Sequence, residues 1–445
     1  MLGRDQVQRL LEAALRRSPA EQTEIVLMAS DSALTRFANS EIHQNVYESN
    51  AEVRVRAVVG KRTGVAVSNR LEPDAIARAV ETATALARLQ PEDPTFPGLP
   101  GPQAIEPVQA YSETTATYSP EQRARAVKVV CDLASEQGLV ASGAFSTGPS
   151  ELAVANSLGL FAYDVMTRAH FTTVIMGEDS SGYAERAAVD VTAIDVEALA
   201  REAVDKAVRS RHPVEAPPGE YRVVLQPYAV EEMLSYLAYM GLGALAVQEG
   251  RSFLNGRFGQ QLVAPSVNLW DDGRDPRGLP MAFDFEGMPK QRVVFFEHGV
   301  ARGVVYDRRT AAREGRESTG HALPAPNPLG PLPTNLFLGP GDASDEDLLA
   351  GIDRGIWITR FWYVNVVHPT RTILTGMTRD GTFLIERGEL ARPIRNLRFT
   401  TSVLDALASV ERIGREPLLL GGGLGGSLVP ALRVGRFTFT GVTEF

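Results

Sequence analysis

The sequence predicts an α+β protein, with a duplicated helix–strands–helix region in the N-terminal half and a β-rich C-terminal domain shaped as a curved sheet or antiparallel barrel. Three observations carry this. The order helix, strands, helix occurs twice before residue 215. Pro- and Gly-rich spacers at 90–109 and 212–221 read as surface linkers. Beyond them, short strands with glycine turns dominate. The predicted boundaries are 1–110 and 111–215 for the two repeat units and 216–445 for the β-rich domain. A chain of 445 residues is long enough to bury cores in two or three such domains.

Unit one opens with an amphipathic helix over 3–17, followed by strands from 23 to 69 and a helix over 72–89. In that second helix Pro73 takes the entry position and acidic residues fill the first turn. Unit two opens with a helix over 119–138. Ser119 and Gln122 have capping-box spacing, Pro120 fits the first helical position, and Gly138 stops the helix. Separate strands are expected at 139–148 and from 150 onward, then a closing helix over 195–210. Both units place an Ala-Asn-Ser tripeptide, 38–40 and 155–157, where a hairpin corner is expected.

In the second half a strand at 221–227 leads into one helix over 229–247, without charge after Glu231 and Glu232 at its start. Strands are expected at 266–272, 280–287, 291–307, 334–342, 355–367 and 372–390. A helix at 400–410 and a strand at 431–442 close the chain. The Pro-rich stretch 321–333 is too long and rigid for a tight hairpin and reads as a surface loop.

Composition excludes several classes. A net charge of −9 without a dense Lys/Arg cluster argues against nucleic acid as a partner. The single cysteine, Cys131, rules out an intramolecular disulfide framework and reads as a small buried residue on a helix. No signal-peptide pattern is seen and the longest uncharged run, 233–248, is too short to span a bilayer, so the expected compartment is the cytoplasm, with no membrane partner.

Candidate chemistry is sparse. There are six histidines, no two close enough in sequence to share a helix face, so no helical zinc pair exists. A site assembled at long range from His298, His321 and His368 has nothing in its spacing to favour it. His298, in Glu-His-Gly, reads as a hairpin corner. His368 precedes Pro369 and is held extended at a strand end, where a structural and a substrate-contacting role weigh equally. In Thr378-Arg379-Asp380 a guanidinium adjoins a carboxylate, although Asp380-Gly381 reads first as a hairpin turn. Gly421-x-Gly423-x-x-Gly426 has the letters of a dinucleotide fingerprint, but Pro430 and a strand follow where a helix is needed, so it reads as a flexible loop or a close backbone approach. No Gly-x-Ser-x-Gly elbow occurs.

Several stretches together resemble the TldD/PmbA family, the so-called modulators of DNA gyrase. They are "RFANSEIHQN", "FDFEGMPKQRVVFFEHGV", "REGRESTGHA", "YVNVVHPTRTILTGMTRDGTFLIERGE" and "NLRFTTSVLDAL". The resemblance runs from about residue 20 to the end and implies a duplicated α+β region before a β-rich domain. It further implies a TldD-type zinc metallopeptidase whose helix carries His-Glu-x-x-x-His and whose shell a later cysteine completes. That subunit pairs with a PmbA/TldE-type subunit lacking these ligands, and the pair trims unfolded peptides. Here the helix in the corresponding place, 231–247, holds no histidine, and the C-terminal region holds no cysteine. The expectation is therefore a metal-free subunit with no catalytic residue and no cofactor of its own, zinc residing in a TldD-type partner. His368, Arg379 and Asp380 are the residues expected to face a peptide cavity. A homodimeric peptidase with an unrecognised site and a peptide-binding scaffold are the alternatives.

Overall fold

A computed structural model of the chain describes residues 1–422 and 425–443. Unit one consists of α1 (Arg4–Leu15), β1 (Gln22–Ala38), β2 (Glu41–Val59), β3 (Arg62–Ser68) and α2 (Pro73–Leu89). After the single-turn α3 (Glu113–Ala116), unit two consists of α4 (Pro120–Glu136), β4 (Val140–Asn156), β5 (Phe161–Met176), β6 (Ser181–Ala188) and α5 (Val196–Arg209). The six strands form one sheet, ordered β3-β2-β1-β4-β5-β6. Each unit gives its first strand to the centre and its third to an edge, and the units join as antiparallel neighbours along β1 and β4. The duplication read from the sequence is therefore a palindrome about one seam.

Local signals act as expected. Ser119 and Gln122 form the reciprocal cap of α4, with Pro120 inside its first turn. Asn39 and Ser40, at φ 53 and 59, turn β1 into β2. The Asn156 carboxamide accepts from the Leu158 and Leu160 N–H groups at the second corner. One expectation fails. Gly148-Pro149 does not break the strand, because β4 runs straight through it. The β1–β4 pairing skips from Ser30↔Ser150 to Ala33↔Thr147, so the missing proline N–H costs no ladder bond there. A Cβ on Gly148 would lie 2.0 Å from the Asp31 carbonyl oxygen, so only glycine fits.

Helices cover one face of this sheet, over Ile25, Leu27 and Val55 in unit one and Phe145, Phe171 and Ile175 in unit two. The opposite parity, Val26, Leu152 and Val154, packs on Ala282 and Phe283 of the C-terminal domain. A sheet buried on both faces explains the unbroken apolar run 25–29. Arg56 pins the same junction, pairing with Glu24 at 2.8 Å and Glu286 at 3.1 Å. The spacer 90–109 has no regular structure, yet its Phe96 and Leu99 are buried against Val58.

The C-terminal domain runs β7 (Gly219–Leu225), α6 (Pro227–Gly241), α7 (Ala244–Gln248), β8 (Leu269–Asp271), β9 (Val293–Glu297), β10 (Val300–Ala301), α8 (Arg308–Arg313), β11 (Asn335–Leu338), α9 (Asp345–Leu349), β12 (Arg354–His368), β13 (Ile373–Glu386), β14 (Glu389–Pro393), β15 (Leu397–Ser402), α10 (Val403–Ala408), β16 (Val410–Ile413), β17 (Leu418–Gly422), β18 (Gly425–Val429) and β19 (Leu432–Val442). One sheet is ordered β10-β9-β8-β11-β18-β17. In the other, β12-β7-β19-β15-β13 closes on itself through β12–β13 pairing, making a barrel around Val223, Ile356, Phe399 and Phe437. The expected barrel is present, but it is mixed, not antiparallel, because β7 and β12 run parallel.

The predicted strand 280–287 is a turn, organised by the Asp284 carboxylate accepting from the Glu286 and Met288 N–H groups. The predicted helix 229–247 is two helices, parted at Gly243 where a Cβ would lie 2.2 Å from the Pro331 carbonyl oxygen. Gly421 and Gly426 pair across the β17–β18 hairpin, so this part of the glycine run is strand and not loop; the close backbone approach is present, since a Cβ on Gly425 would lie 1.9 Å from the Thr334 carbonyl oxygen, and Gly423 lies outside the described residues. Among the described residues no helix is long and apolar enough to cross a membrane.

Candidate functional site

The helix α6 begins at Pro227, which takes the first helical position, while the Gln226 N–H donates to the Ile358 carbonyl of β12. This start lies earlier than the sequence implied. It places Glu231 and Glu232 beyond the first turn, away from the positive end of the helix dipole. Both instead face a cleft of about 420 Å³ walled by α6, β6, β12 and β17, through Tyr183, Glu185, Tyr228, Tyr236, Arg360 and Gly421.

The cleft is acidic and aromatic. Burial pushes Glu231 up to about 7, although the Ser235 hydroxyl donates to it at 2.6 Å. Burial and the charge of Glu231 push Glu232 up to about 7, and Arg360 only partly offsets them. Glu185 behaves oppositely. Burial would raise it, but His170 at 2.8 Å, the Tyr183 hydroxyl at 2.6 Å and the Gly421 N–H at 3.1 Å hold it below the usual range. Arg360 stacks over Tyr183 with its guanidinium carbon 4.2 Å from the ring centroid. Its own charge is met by Asp380 at 2.5 Å.

Asp380-Gly381 is not a hairpin turn. The strand β13 continues through it, and the turn lies further on, at Arg387-Gly388 with φ 53 and 80. Opposite Thr359 of β12, where pairing steps from Ile358↔Thr382 to Arg360↔Arg379, β13 carries the extra residue of a bulge. Asp380 sits there at φ 55 and is 1% exposed. Asp380 thus reaches the α6 cleft through Arg360. Arg379, with its guanidinium 5.0 Å from the Trp362 ring, lines a separate cleft of about 460 Å³ together with Asp380 and His212. His368 is exposed at the end of β12, 3.2 Å from the Thr370 hydroxyl, and lines neither cleft.

The three histidines weighed as long-range ligands have other surroundings. His298 is the hairpin corner, at φ 49. His321 is fully buried, bonded to Asp271 at 2.8 Å and Thr319 at 2.9 Å. Among the described residues no group of three or more His, Cys, Asp or Glu side chains is placed to hold a metal ion. On α6 the run Glu231-Glu232-x-x-x-Tyr236 has the spacing of His-Glu-x-x-x-His with both imidazoles replaced. The nearby imidazole, His170, already spends its Nε2 on Glu185. A zinc site of the family type does not fit this donor set. The sequence reading missed Glu185, His170, Tyr183 and Arg360. Strand parity signals His170, because Phe171 and Ile175 point to the helices and put His170 on the other face.

The chain belongs to the PmbA/TldD family. Models described as PmbA/TldA metallopeptidase domain 1, central domain and C-terminal domain match residues 23–87, 110–211 and 218–441. Over 402 residues it is 24% identical to a metalloprotease TldD homolog of Buchnera aphidicola, covering 85% of this chain and 82% of that one. A metalloprotease of Methanothermobacter thermautotrophicus is 28% identical over 230 residues, which are 50% of this chain and 49% of that one. In fold, the chain is similar to the crystal structure of TldE from Thermococcus kodakarensis, with a TM-score of 0.89, 22% identity, and coverage of 98% of this chain and 100% of that one.

Proposed function

We propose that this chain is the metal-free, non-catalytic subunit of a two-subunit metallopeptidase, holding an extended, unfolded peptide beside a TldD-type partner that supplies the zinc. The supporting observation is the α6 cleft. The helix where the family motif would stand offers two half-buried glutamates, a serine and a tyrosine, and the imidazole nearby, His170, is already engaged. The edge strand β17 borders this cleft at Gly421, whose N–H is already given to Glu185, so side chains of the cleft are what a peptide meets there.

The test is co-expression with a TldD-type subunit of the same organism, followed by co-purification, metal analysis and assay on an unfolded peptide. The expected result is a stable complex with zinc in the partner, and cleavage by the complex but not by this chain alone. Stoichiometric zinc and peptidase activity in the isolated chain would sink the proposal and favour a homodimeric enzyme. Peptide binding with no partner recovered would favour a scaffold.

A further inference from the structure

A second groove lies away from α6, where the centre of the N-terminal sheet meets the C-terminal domain. One part, of about 480 Å³, and a neighbouring part, of about 520 Å³, share Ser30, Ser150, Met166, Met281 and Phe285, so they adjoin along a common wall. Its apolar lining includes Met28, Met166, Met281 and Phe285, beside Leu152, Val189, Leu279 and Leu323. Methionine adapts to side chains of different shape. The walls add hydroxyls from Ser30, Ser32, Ser146 and Ser150.

One end of the groove carries positive charge. Arg168 lines it, is exposed to it, and its guanidinium has no hydrogen-bond or ion-pair partner among the described residues. Lys290 lies at the same end, 2% exposed, with one hydrogen bond, to the Thr334 hydroxyl at 3.0 Å. Behind it stand Asp271 and Asp284, whose charges bear on Lys290 and leave Arg168 as the unmatched cation. The carboxylates along the groove are already engaged. Asp31 accepts from the Met1 ammonium and Ser49, Glu151 from the Leu2 and Gly3 N–H groups, and Glu52 pairs with Arg54.

We propose that this groove binds the free C-terminus of an extended peptide. The α-carboxylate pairs with Arg168 at the Lys290–Thr334 end, and the terminal apolar side chain lies among Met166, Met281 and Phe285. The proposal rests on the peptide-holding reading above and names which end of the peptide is held. A bare inorganic anion would leave the apolar lining unused. An alkyl-chain carboxylate would bury the serine hydroxyls without partners, whereas peptide amides satisfy them.

The test uses the full chain and one short, N-terminally fluorescent peptide ending in leucine, made as the free acid and as the C-terminal amide, with binding read by anisotropy at low salt. The acid should bind about tenfold or more tightly than the amide. Arg168→Gln should abolish that difference, with a melting curve to confirm that the variant is folded. Arg168→Lys should restore part of it. Equal binding of acid and amide, or a difference that survives Arg168→Gln, overturns the proposal and leaves peptide holding intact. Binding of neither form overturns both. Displacement of the probe by decanoate at concentrations where the unlabelled peptide does not compete would make this an acyl-chain site and also overturn the proposal.

Discussion

The molecule contains two carboxylate–imidazole pairs with the same 2.8 Å contact and different surroundings. Asp271 and His321 are both 0% exposed, and the second Asp271 oxygen accepts from the Thr334 and Asn335 N–H groups at 2.7 and 2.6 Å. Glu185 and His170 are 14% and 31% exposed, on the wall of a cleft that also holds two glutamates without a cation in contact. The closed pair has every demand met and so reads as architecture. The open pair adjoins glutamates whose burial is only partly compensated, which is the state a ligand can relieve. Acid–imidazole geometry alone assigns no role. Solvent access and leftover demand do.

The contrast can be broken at several points. The largest effect belongs to the closed pair. Asp271→Ala would leave His321 Nε2 and two backbone N–H groups without their acceptor and remove a charge that bears on Lys290, and should cost about 3–5 kcal/mol in urea denaturation. A loss below about 1 kcal/mol would show that this network does not hold the loop at 319–335.

Next come the cleft glutamates, which should act with opposite sign. Burial holds Glu231 and Glu232 at about 7 in the folded chain, above the unfolded value near 4.3. Below that value both states are protonated. As pH rises toward 7 the unfolded chain ionises first, so stability falls. The double variant Glu231→Gln, Glu232→Gln should therefore gain about 2 kcal/mol at pH 8 and little at pH 4, and a gain independent of pH would refute the assignment.

A smaller change sharpens the comparison. Glu185→Gln keeps a hydrogen-bonding group in a half-open site and should cost about 1 kcal/mol. Because its folded pKa lies below the ordinary value, that cost should be present near neutrality and vanish as pH drops through the carboxylate range. The smallest effect is expected at His368. Its exposed ring should make His368→Ala neutral to within about 0.5 kcal/mol, and without change in bound metal by elemental analysis.

The comparison also marks where sequence reading stops. His321 and His170 look alike in the sequence, each a lone histidine near hydroxyl residues. Their acids lie 50 residues before one and 15 after the other. No local pattern could say which pair would be sealed.

The sequence by itself determined the local devices: the Ser119 cap, the two Ala-Asn-Ser corners, the twofold helix–strands–helix order, and an α6 helix without histidine. Those depend on residues a few positions apart, where capping, turn preference and side-chain alternation act. Tertiary structure alone decided that β4 would pass through Pro149, that Asp380 would sit in a bulge against Arg360, that β12 would close the barrel, and that Glu231 and Glu232 would face a cleft. Each of these outcomes depends on a partner strand or domain far along the chain. Register and burial are properties of the pairing, and neither strand encodes them alone.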